Sequence, residues 1–143
     1  MKVVIQRSKN SSVSVNNKIV GQITKGLVLL VGFTEGDTIE DIDYMINKII
    51  NLRIFDGTPE RSVLDVNGEI LAISQFTLYA NAKKGRRPSY VAALANSEAK
   101  IMYELFVERL SKNIKVETGI FGADMEVNII NDGPFTIILD SKE

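Results

Sequence analysis

The sequence of 143 residues contains no cysteine and no histidine. The lack of cysteine excludes disulfides, a thiolate nucleophile and a cysteine-based zinc site. The lack of histidine excludes a Ser-His dyad and an imidazole general base. An enzyme made from this chain would therefore depend on a carboxylate, a lysine, hydroxyl and backbone groups, or a functional group that the substrate brings.

Long apolar runs are also missing from the sequence. No stretch approaches the roughly 18 apolar residues of a membrane span, and residues 1–5 lead into strand-like alternation rather than into a cleavable signal. We therefore expect a cytoplasmic protein that does not contact membranes. The net charge is −1, so a nucleic acid would have to be bound by a local basic patch rather than by the overall field of the protein.

The composition that is present fits one folded domain, residues 1–143. The hydrophobic share is 45% and the charged share is 24%, both ordinary for a globular protein. A β-hairpin is predicted where the alternating residues 12–15 precede Asn16 and Asn17, because asparagine tolerates positive φ and strand-like sequence returns at 18–23.

Further strand and helix signals follow along the chain. The wholly apolar run 26–33 predicts a strand that is covered on both faces or that closes a barrel-like sheet. A first helix is predicted to begin with Asp37 as its N-cap and Glu40 completing a capping box. Its expected buried stripe has three- and four-residue spacing and comprises Ile42, Met45, Ile46, Ile49 and Ile50.

The second half of the chain predicts another helix and several strands. The helix is expected from about Ser97, after a short helical turn within 88–96. Its buried face is expected to comprise Ile101, Met102, Leu105, Phe106 and Leu110. Strands are expected at 69–73 with a continuation through 76–79, and at 114–118, 127–130 and 135–139. The predicted fold class is α+β: a mainly antiparallel, barrel-like β-sheet with two packed helices.

A cluster of basic residues is the first of three features with chemical potential. Four positive charges fall within five residues, on Lys83, Lys84, Arg86 and Arg87. They either form a solvated loop or contact phosphates, since guanidinium groups match phosphate oxygens. RNA is the natural partner in the second case.

The other two features are polar residues in a strand and a Gly-Pro pair. Burying a hydroxyl and an amide without partners costs about 1–3 kcal/mol each, so Ser74 and Gln75 are either satisfied by neighbouring backbone or presented to a ligand. Thr77 lies just beyond them with a hydroxyl but no visible base. Gly133 and Pro134 belong to a turn or, if their bond is cis, to a rigid backbone wedge, since a cis X-Pro bond costs only about 0.5–1 kcal/mol.

Four motifs follow one another along the chain. They have the sequences SQFTLYA, KGRRPS, TGIFGADM and NDGP, at residues 74–80, 84–89, 118–125 and 131–134. Together they resemble the motifs of the D-aminoacyl-tRNA deacylases, and the resemblance covers essentially the whole chain. It implies a homodimeric hydrolase that frees tRNA from D-amino acids esterified to its terminal adenosine. Such an enzyme also accepts achiral glycine and uses no cofactor and no metal ion.

The resemblance also implies how the substrate is selected. Gly133 and Pro134 of one subunit would enter the pocket of the other as a chiral gate, with their carbonyls facing the amino group and Cα of the substrate. Rejecting an L side chain about 10⁴-fold requires roughly 5.5 kcal/mol, which a clash with rigid backbone supplies. Arg7 would help to fix this loop, and Phe121 and Met125 would line the pocket.

The catalytic floor of the pocket corresponds to four residues, Ser74, Gln75, Phe76 and Thr77. Backbone amides and the Ser74 hydroxyl would hold the ester carbonyl and its developing oxyanion. Thr77 is a candidate nucleophile, but without an adjacent base its alkoxide is scarce near neutral pH. We favour the 2′-hydroxyl of the terminal ribose as the catalytic group, since the protein lacks histidine and cysteine. The RNA-binding residues would be Lys83, Lys84, Arg86 and Arg87.

Two departures from the family pattern stand out. The family usually reads Gly-Pro-Val-Thr, whereas here Phe135 follows Pro134 and either reshapes the wedge or packs outward. The family commonly has a longer loop with Lys-Met-Asn before its Ser-Val pair, and residues 58–61 replace it here, which weakens the case for an RNA contact from this loop. The alternative from another class is a nucleic-acid-binding module of the same fold without deacylase activity.

Overall fold

The computed structural model describes residues 1–143 and begins with a long β-hairpin. Strands β1 (Lys2–Val15) and β2 (Lys18–Gly32) pair antiparallel. Asn16 and Asn17 form the turn with φ values of 49° and 65°, a left-handed conformation that asparagine tolerates better than most residues. The predicted hairpin is therefore confirmed.

The β-sheet contains five strands in the order β4-β3-β2-β1-β5, and it is mixed and open. Strands β3 (Glu69–Ser74) and β4 (Val116–Thr118) run parallel to the strands before them, whereas β5 (Glu126–Asp140) pairs antiparallel with β1. The α+β class with two helices is therefore confirmed, whereas the mainly antiparallel, barrel-like character predicted for the sheet is not. A helix lies in the connection that precedes β3 and another in the one that precedes β4. A helical crossover returns the chain to the same end of the sheet, so the next strand enters parallel.

Helix α1 (Ile39–Asn51) connects β2 to β3. Its N-cap is Thr38, whose backbone N–H donates to Asp41 Oδ2 at 2.8 Å. The predicted cap at Asp37 is wrong by one residue, because the Asp37 carboxylate accepts a hydrogen bond of 2.7 Å from the buried Met1 ammonium instead. The predicted buried stripe is confirmed in full and comprises Ile42, Met45, Ile46, Ile49 and Ile50.

Helix α2 (Asn96–Ser111) begins near its predicted position, and the face that it turns to the core is shifted from the predicted one. Its buried residues are Ala99, Tyr103, Phe106 and Leu110. The last two belong to the predicted face, whose Met102 and Leu105 are partly buried against the core, whereas Ile101 is 67% exposed. The orientation follows from Tyr103, whose hydroxyl donates a hydrogen bond of 2.7 Å to the Ala72 carbonyl within β3. Neither helix is long and apolar enough to cross a membrane.

The sheet carries a hydrophobic core on each face. The main core lies between the sheet and the two helices and includes alternate residues of β2, namely Leu27, Leu29 and Val31. A smaller cluster lies on the opposite face and comprises Val13, Ile23, Val28, Leu71 and Ile73. Burial on both faces explains why the sequence of β2 after residue 26 is almost continuously apolar.

Strand β5 contains a bulge at the Gly133-Pro134 pair. The strand stays paired with β1 on both sides of the bulge, so that Arg7 alone opposes the four residues 132–135. This four-residue segment, which has three residues more than regular pairing needs, is called the Gly-Pro bulge below. The prediction of two separate strands joined by a turn is therefore wrong, because both halves pair with one strand and the extra residues are accommodated as a bulge.

Candidate active site

A cavity of about 360 Å³ opens at the carboxyl ends of β2 and β3. Strand β2 contributes Val31 and Gly32, and β3 contributes Ile73 and Ser74. The remaining walls come from the segment after β3, the start of α2 and the loop before β5, and include Gln75, Phe76, Asn96, Phe121, Asp124 and Met125. A mainly apolar crevice with a few polar groups beyond the ends of parallel strands is a common place for a ligand site.

The floor of the cavity is shaped by a short 3₁₀ helix, Phe76–Tyr79, which follows β3 directly. The predicted continuation of the strand is wrong, because the chain turns after Gln75, whose N–H donates to the Val31 carbonyl at 2.7 Å. The turn lies directly against Gly32. A Cβ at this glycine would lie 2.9 Å from the Gln75 carbonyl oxygen and 3.2 Å from Leu78 Cβ. The glycine therefore permits the close approach that closes this end of the cavity.

The four residues assigned to catalysis do not all face the cavity. Ser74, Gln75 and Phe76 line it, whereas Thr77 is exposed and does not. The Thr77 hydroxyl accepts a hydrogen bond from Gln75 Nε2. The only ionisable residue in the lining is Asp124. The sequence analysis does not single out this aspartate, although it lies within the third of the four motifs.

Phe121 and Met125 form part of the cavity wall. The Phe121 ring packs against the Tyr103 ring with a centroid separation of 5.8 Å. Burial raises the pKa of Tyr103, and its hydroxyl is fixed by the Ala72 carbonyl. A Cβ at Gly119 would collide with the Met125 sulfur, so the lack of a side chain at this glycine allows the methionine to fold back toward the cavity.

Gly133 and Pro134 are exposed and do not line the cavity of their own chain. The peptide bond between them is cis. Arg7 holds the neighbouring backbone, since its Nε donates to the Asp132 carbonyl at 3.1 Å and its Nη1 donates to the Ile54 carbonyl at 2.6 Å. The Gly-Pro bulge therefore projects from the sheet, and the arginine beneath it connects it to the loop after α1.

Phe135, which replaces the usual valine of the family pattern, packs inward. Its side chain is half-buried against the main core, and the Arg7 guanidinium carbon lies 5.1 Å from its ring centroid. Its backbone N–H donates to Asn131 Oδ1 at 3.0 Å. The bulky ring thus supports the Gly-Pro bulge from the core side.

The basic loop lies beyond the 3₁₀ helix and consists of exposed residues. Its ends are joined by two backbone hydrogen bonds of 2.8 Å between Asn81 and Ser89. The Phe76 and Tyr90 rings pack edge to face at 5.2 Å beside it. The predicted short helix after the loop is wrong, since the chain makes only a single turn at 90–93, closed by a hydrogen bond of 3.0 Å from the Ala93 N–H to the Tyr90 carbonyl. The four cations of the basic loop make no ion pair within the protein; they are Lys83, Lys84, Arg86 and Arg87.

The sequence model of the family described as D-Tyr-tRNA(Tyr) deacylase matches residues 4–140. The chain belongs to this family. The assignment from the four motifs is thereby confirmed. No group of three or more histidine, cysteine, aspartate or glutamate side chains in this deacylase-family chain is arranged to hold a metal ion.

Relatives of the deacylase-family chain match it along its full length. The D-aminoacyl-tRNA deacylases of Sulfurihydrogenibium sp. (strain YO3AOP1) and Aquifex aeolicus (strain VF5) are both 56% identical to it, over 146 and 147 residues, with 100% of this chain and 99% of each relative covered. A solved structure of a c-Myc DNA Unwinding Element Binding Protein has a TM-score of 0.91 at 39% identity and covers 98% of both chains. A probable eukaryotic D-amino acid tRNA deacylase shares the fold, with a TM-score of 0.84 at 18% identity over 96% of this chain and 97% of that one.

Proposed function

We propose that the protein hydrolyses the ester bond between a D-amino acid and the terminal adenosine of tRNA, releasing the free amino acid and tRNA. Family membership and relatives at 56% identity support this reaction. Charged tRNA is consumed by translation, so the enzyme would work in the cytoplasm as a proofreading step. Glycyl-tRNA would be a second substrate, because glycine has no side chain for a chiral gate to reject.

The observation that carries the proposal is the chemistry of the cavity. The cavity lining includes Ser74 with its hydroxyl and Phe76 at the start of the 3₁₀ helix. Hydrogen-bond donors that are fixed before the reaction stabilise the charge that develops on an ester oxygen. The Ser74 hydroxyl and the backbone N–H of Phe76 would hold the carbonyl oxygen as it becomes an oxyanion. The apolar remainder of the cavity would accept the amino-acid side chain and exclude water.

The proton acceptor would come from the substrate. The cavity contains no histidine, lysine or tyrosine, and its one carboxylate, Asp124, is exposed. The 2′-hydroxyl of the terminal ribose is adjacent to the ester, and a bound group already in position gains the advantage of an intramolecular reaction. It would assist attack of water or departure of the ribose oxygen, while the protein contributes orientation and oxyanion stabilisation.

A second copy of the chain would complete the site. A row of directly paired residues crosses one face of the sheet from the cavity outward, and comprises Ile73, Leu30, Val4 and Ile138. Ile73 lines the cavity, whereas Ile138 at the other end is 70% exposed. Apolar surface that continues out of a ligand site is typical of an interface between subunits. In a homodimer formed through this face, the Gly-Pro bulge of one subunit would enter the cavity of the other and exclude L side chains.

The decisive experiment compares four substrates with the purified protein. They are D-tyrosyl-tRNA and L-tyrosyl-tRNA, each with a normal and with a 2′-deoxy terminal adenosine. The proposal expects rapid release of D-tyrosine only, and only from the normal adenosine. Equal hydrolysis of both enantiomers would contradict the chiral gate, and full activity on the 2′-deoxy substrate would contradict catalysis by the ribose.

A nucleic-acid-binding module is the second candidate. The similarity to a c-Myc DNA Unwinding Element Binding Protein, with 39% identity, favours it. A pure binder would retain affinity for nucleic acid after substitution of residues 74–77 and would lose it when the basic loop is neutralised. An enzyme would show the first change in turnover and the second mainly in apparent affinity. Tight binding of tRNA without hydrolysis of either enantiomer would establish the binding module.

A further inference from the structure

A second cleft, of about 510 Å³, lies beside the Gly-Pro bulge and is separate from the cavity described above. Its lining is polar apart from Phe55. The charged groups in it are four cations and two carboxylates: Arg7, Lys9, Lys25, Arg61, Asp56 and Asp132. The cleft is therefore locally positive, although the chain as a whole has a net charge of −1.

Two of these cations lie opposite each other in the sheet although their like charges repel. Lys9 on β1 and Lys25 on β2 are direct partners across the antiparallel pair. Like charges in this position destabilise a sheet, because their Cβ atoms are only about 4.5–5.5 Å apart. Asp132 Oδ1 lies 3.6 Å from Lys9 Nζ, whereas no carboxylate pairs with Lys25. A bound anion would remove the repulsion.

Arg61 supplies a further donor group from the loop that follows α1. Its Nε donates to the Asp56 carbonyl at 2.9 Å, and its backbone pairs with Phe55. These contacts fix the position from which the side chain extends. The two terminal guanidinium nitrogens make no hydrogen bond within the protein. These nitrogens form the planar arrangement that matches two oxygens of a phosphate group.

The other charges of the cleft are engaged differently. The Arg7 guanidinium is used on the carbonyls of Asp132 and Ile54. The Asp56 carboxylate is fully exposed to solvent and lies 3.9 Å from Arg7, so it weakens the positive field only slightly. Lys25 and Arg61 therefore have no carboxylate partner, and Lys9, which is exposed and lies 3.6 Å from Asp132, is the third cation that can reach a ligand.

We propose that Lys9, Lys25 and Arg61 bind phosphodiester groups of RNA. This inference rests on the proposed function and extends it to the acceptor strand of the tRNA. If the Gly-Pro bulge enters the partner's cavity, the cleft beside the bulge lies at the mouth of that cavity. The strand that carries the aminoacyl end would pass along it, so that one subunit cleaves the ester while the other holds the phosphates. Arg61 thus provides an RNA contact from a loop that lacks the family's Lys-Met-Asn sequence.

The test uses substrates with and without phosphates. Wild type and the variants Lys25→Gln, Arg61→Gln and Lys25→Gln/Arg61→Gln are assayed on D-tyrosyl-tRNA and on D-tyrosyl-adenosine, which has no phosphodiester. Lys112→Gln, an exposed lysine after α2, is the matched control. For the double variant we expect the KM for the tRNA to rise about tenfold. The slope of log KM against log salt concentration should fall by about 1.4, or roughly 0.7 for each lost contact. Turnover of D-tyrosyl-adenosine should stay unchanged.

The possible outcomes separate this proposal from the proposed function. An unchanged KM and salt slope in the double variant would overturn the cleft as an RNA site, as would an equal rise in KM for D-tyrosyl-adenosine. If the variants differ from wild type only in that inorganic phosphate no longer inhibits them, the cleft binds a free anion and the RNA assignment is wrong. If wild type hydrolyses neither substrate, the proposed function fails, and the affinity of the same variants for uncharged tRNA still decides the cleft.

Discussion

Gln75 donates a hydrogen bond from its side-chain amide to the hydroxyl of Thr77. An amide is not basic enough to remove the hydroxyl proton, so this contact orients the threonine without activating it. We expect Thr77→Ala to keep its single-turnover rate on D-tyrosyl-tRNA within about tenfold of wild type. Loss of a true nucleophile typically costs about 10⁴-fold or more. A folded Thr77→Ala protein with a loss of that size would establish the threonine as the nucleophile.

Ile138 tests the interface between subunits. Ile138→Glu places a charge in the apolar row, and we expect it to shift the protein toward monomer and to abolish hydrolysis, because the Gly-Pro bulge would no longer reach a cavity. Light scattering coupled to chromatography measures the mass. Ile101→Glu is the control, since this residue of α2 is exposed to a similar extent, 67% against 70%. Equal effects of both changes would show that a surface charge alone is responsible.

Arg7 tests the rigidity of the chiral gate. Arg7→Lys keeps the charge but replaces the two fixed guanidinium nitrogens that reach the carbonyls of Asp132 and Ile54 with a single ammonium nitrogen. Each hydrogen bond from a charged group contributes about 1.5–3 kcal/mol, so we expect the preference for D-tyrosyl-tRNA over L-tyrosyl-tRNA to fall by about 10- to 100-fold. The rate on glycyl-tRNA is the internal control, because glycine does not test the gate. A uniform loss on all three substrates would point to a general structural defect.

The basic loop tests the contact with RNA. If its cations meet phosphates, replacing Lys83, Lys84, Arg86 and Arg87 by glutamine should lower the log-log salt slope of tRNA binding by about 3. Turnover of D-tyrosyl-adenosine should be retained, because this substrate has no phosphodiester. A salt slope equal to that of wild type would show that the loop is merely solvated.

Asp41 gives the fold a defined sensitivity to acid. Desolvation raises its pKa, but the Thr38 N–H and the Lys142 ammonium group outweigh it and lower the pKa from 3.8 to about 2. A carboxylate with a depressed pKa stabilises the folded state above its unfolded-state pKa of 3.8, and the contribution is lost as the pH falls through the folded-state pKa of about 2. Asp41→Asn should therefore lower the Tm at pH 7 and lower it much less at pH 2. Glu40→Gln, an exposed change in the same helical turn, should have little effect at either pH.

Local signals predicted those parts of the fold that depend on neighbouring residues. The Asn16-Asn17 turn and the buried stripe of α1 follow from φ preference and from helical spacing, and both were correct. The buried face of α2 depends on a distant contact, the hydrogen bond from Tyr103 to Ala72. Hydrophobic periodicity contains no information about such a partner, so Ala99 and Tyr103 were missed and Ile101 was wrongly placed on the buried face. The parallel pairing of β3 escaped prediction for the same reason.

The candidate site shows a similar division. The motifs predicted that Ser74, Phe121 and Met125 matter, and the fold brings these distant residues to one cavity. Asp124 was missed because an aspartate next to a glycine-rich bend has an ordinary structural explanation. The lysine pair at 9 and 25 was missed because neither position forms a charge cluster in the sequence. Only the register of β1 against β2 places the two side chains opposite each other.

The Gly-Pro bulge lies between two stretches of β5 that each keep their own pairing with β1. A change in the number of residues in the bulge would therefore not shift either stretch, because the register on each side is set separately. The number of residues in the bulge can therefore change without altering the pairing of the sheet. If the proposed homodimer forms, an insertion or deletion here would alter the reach of the backbone into the neighbouring subunit while the core remains intact, and we would expect it to change the stereochemical selectivity of the enzyme.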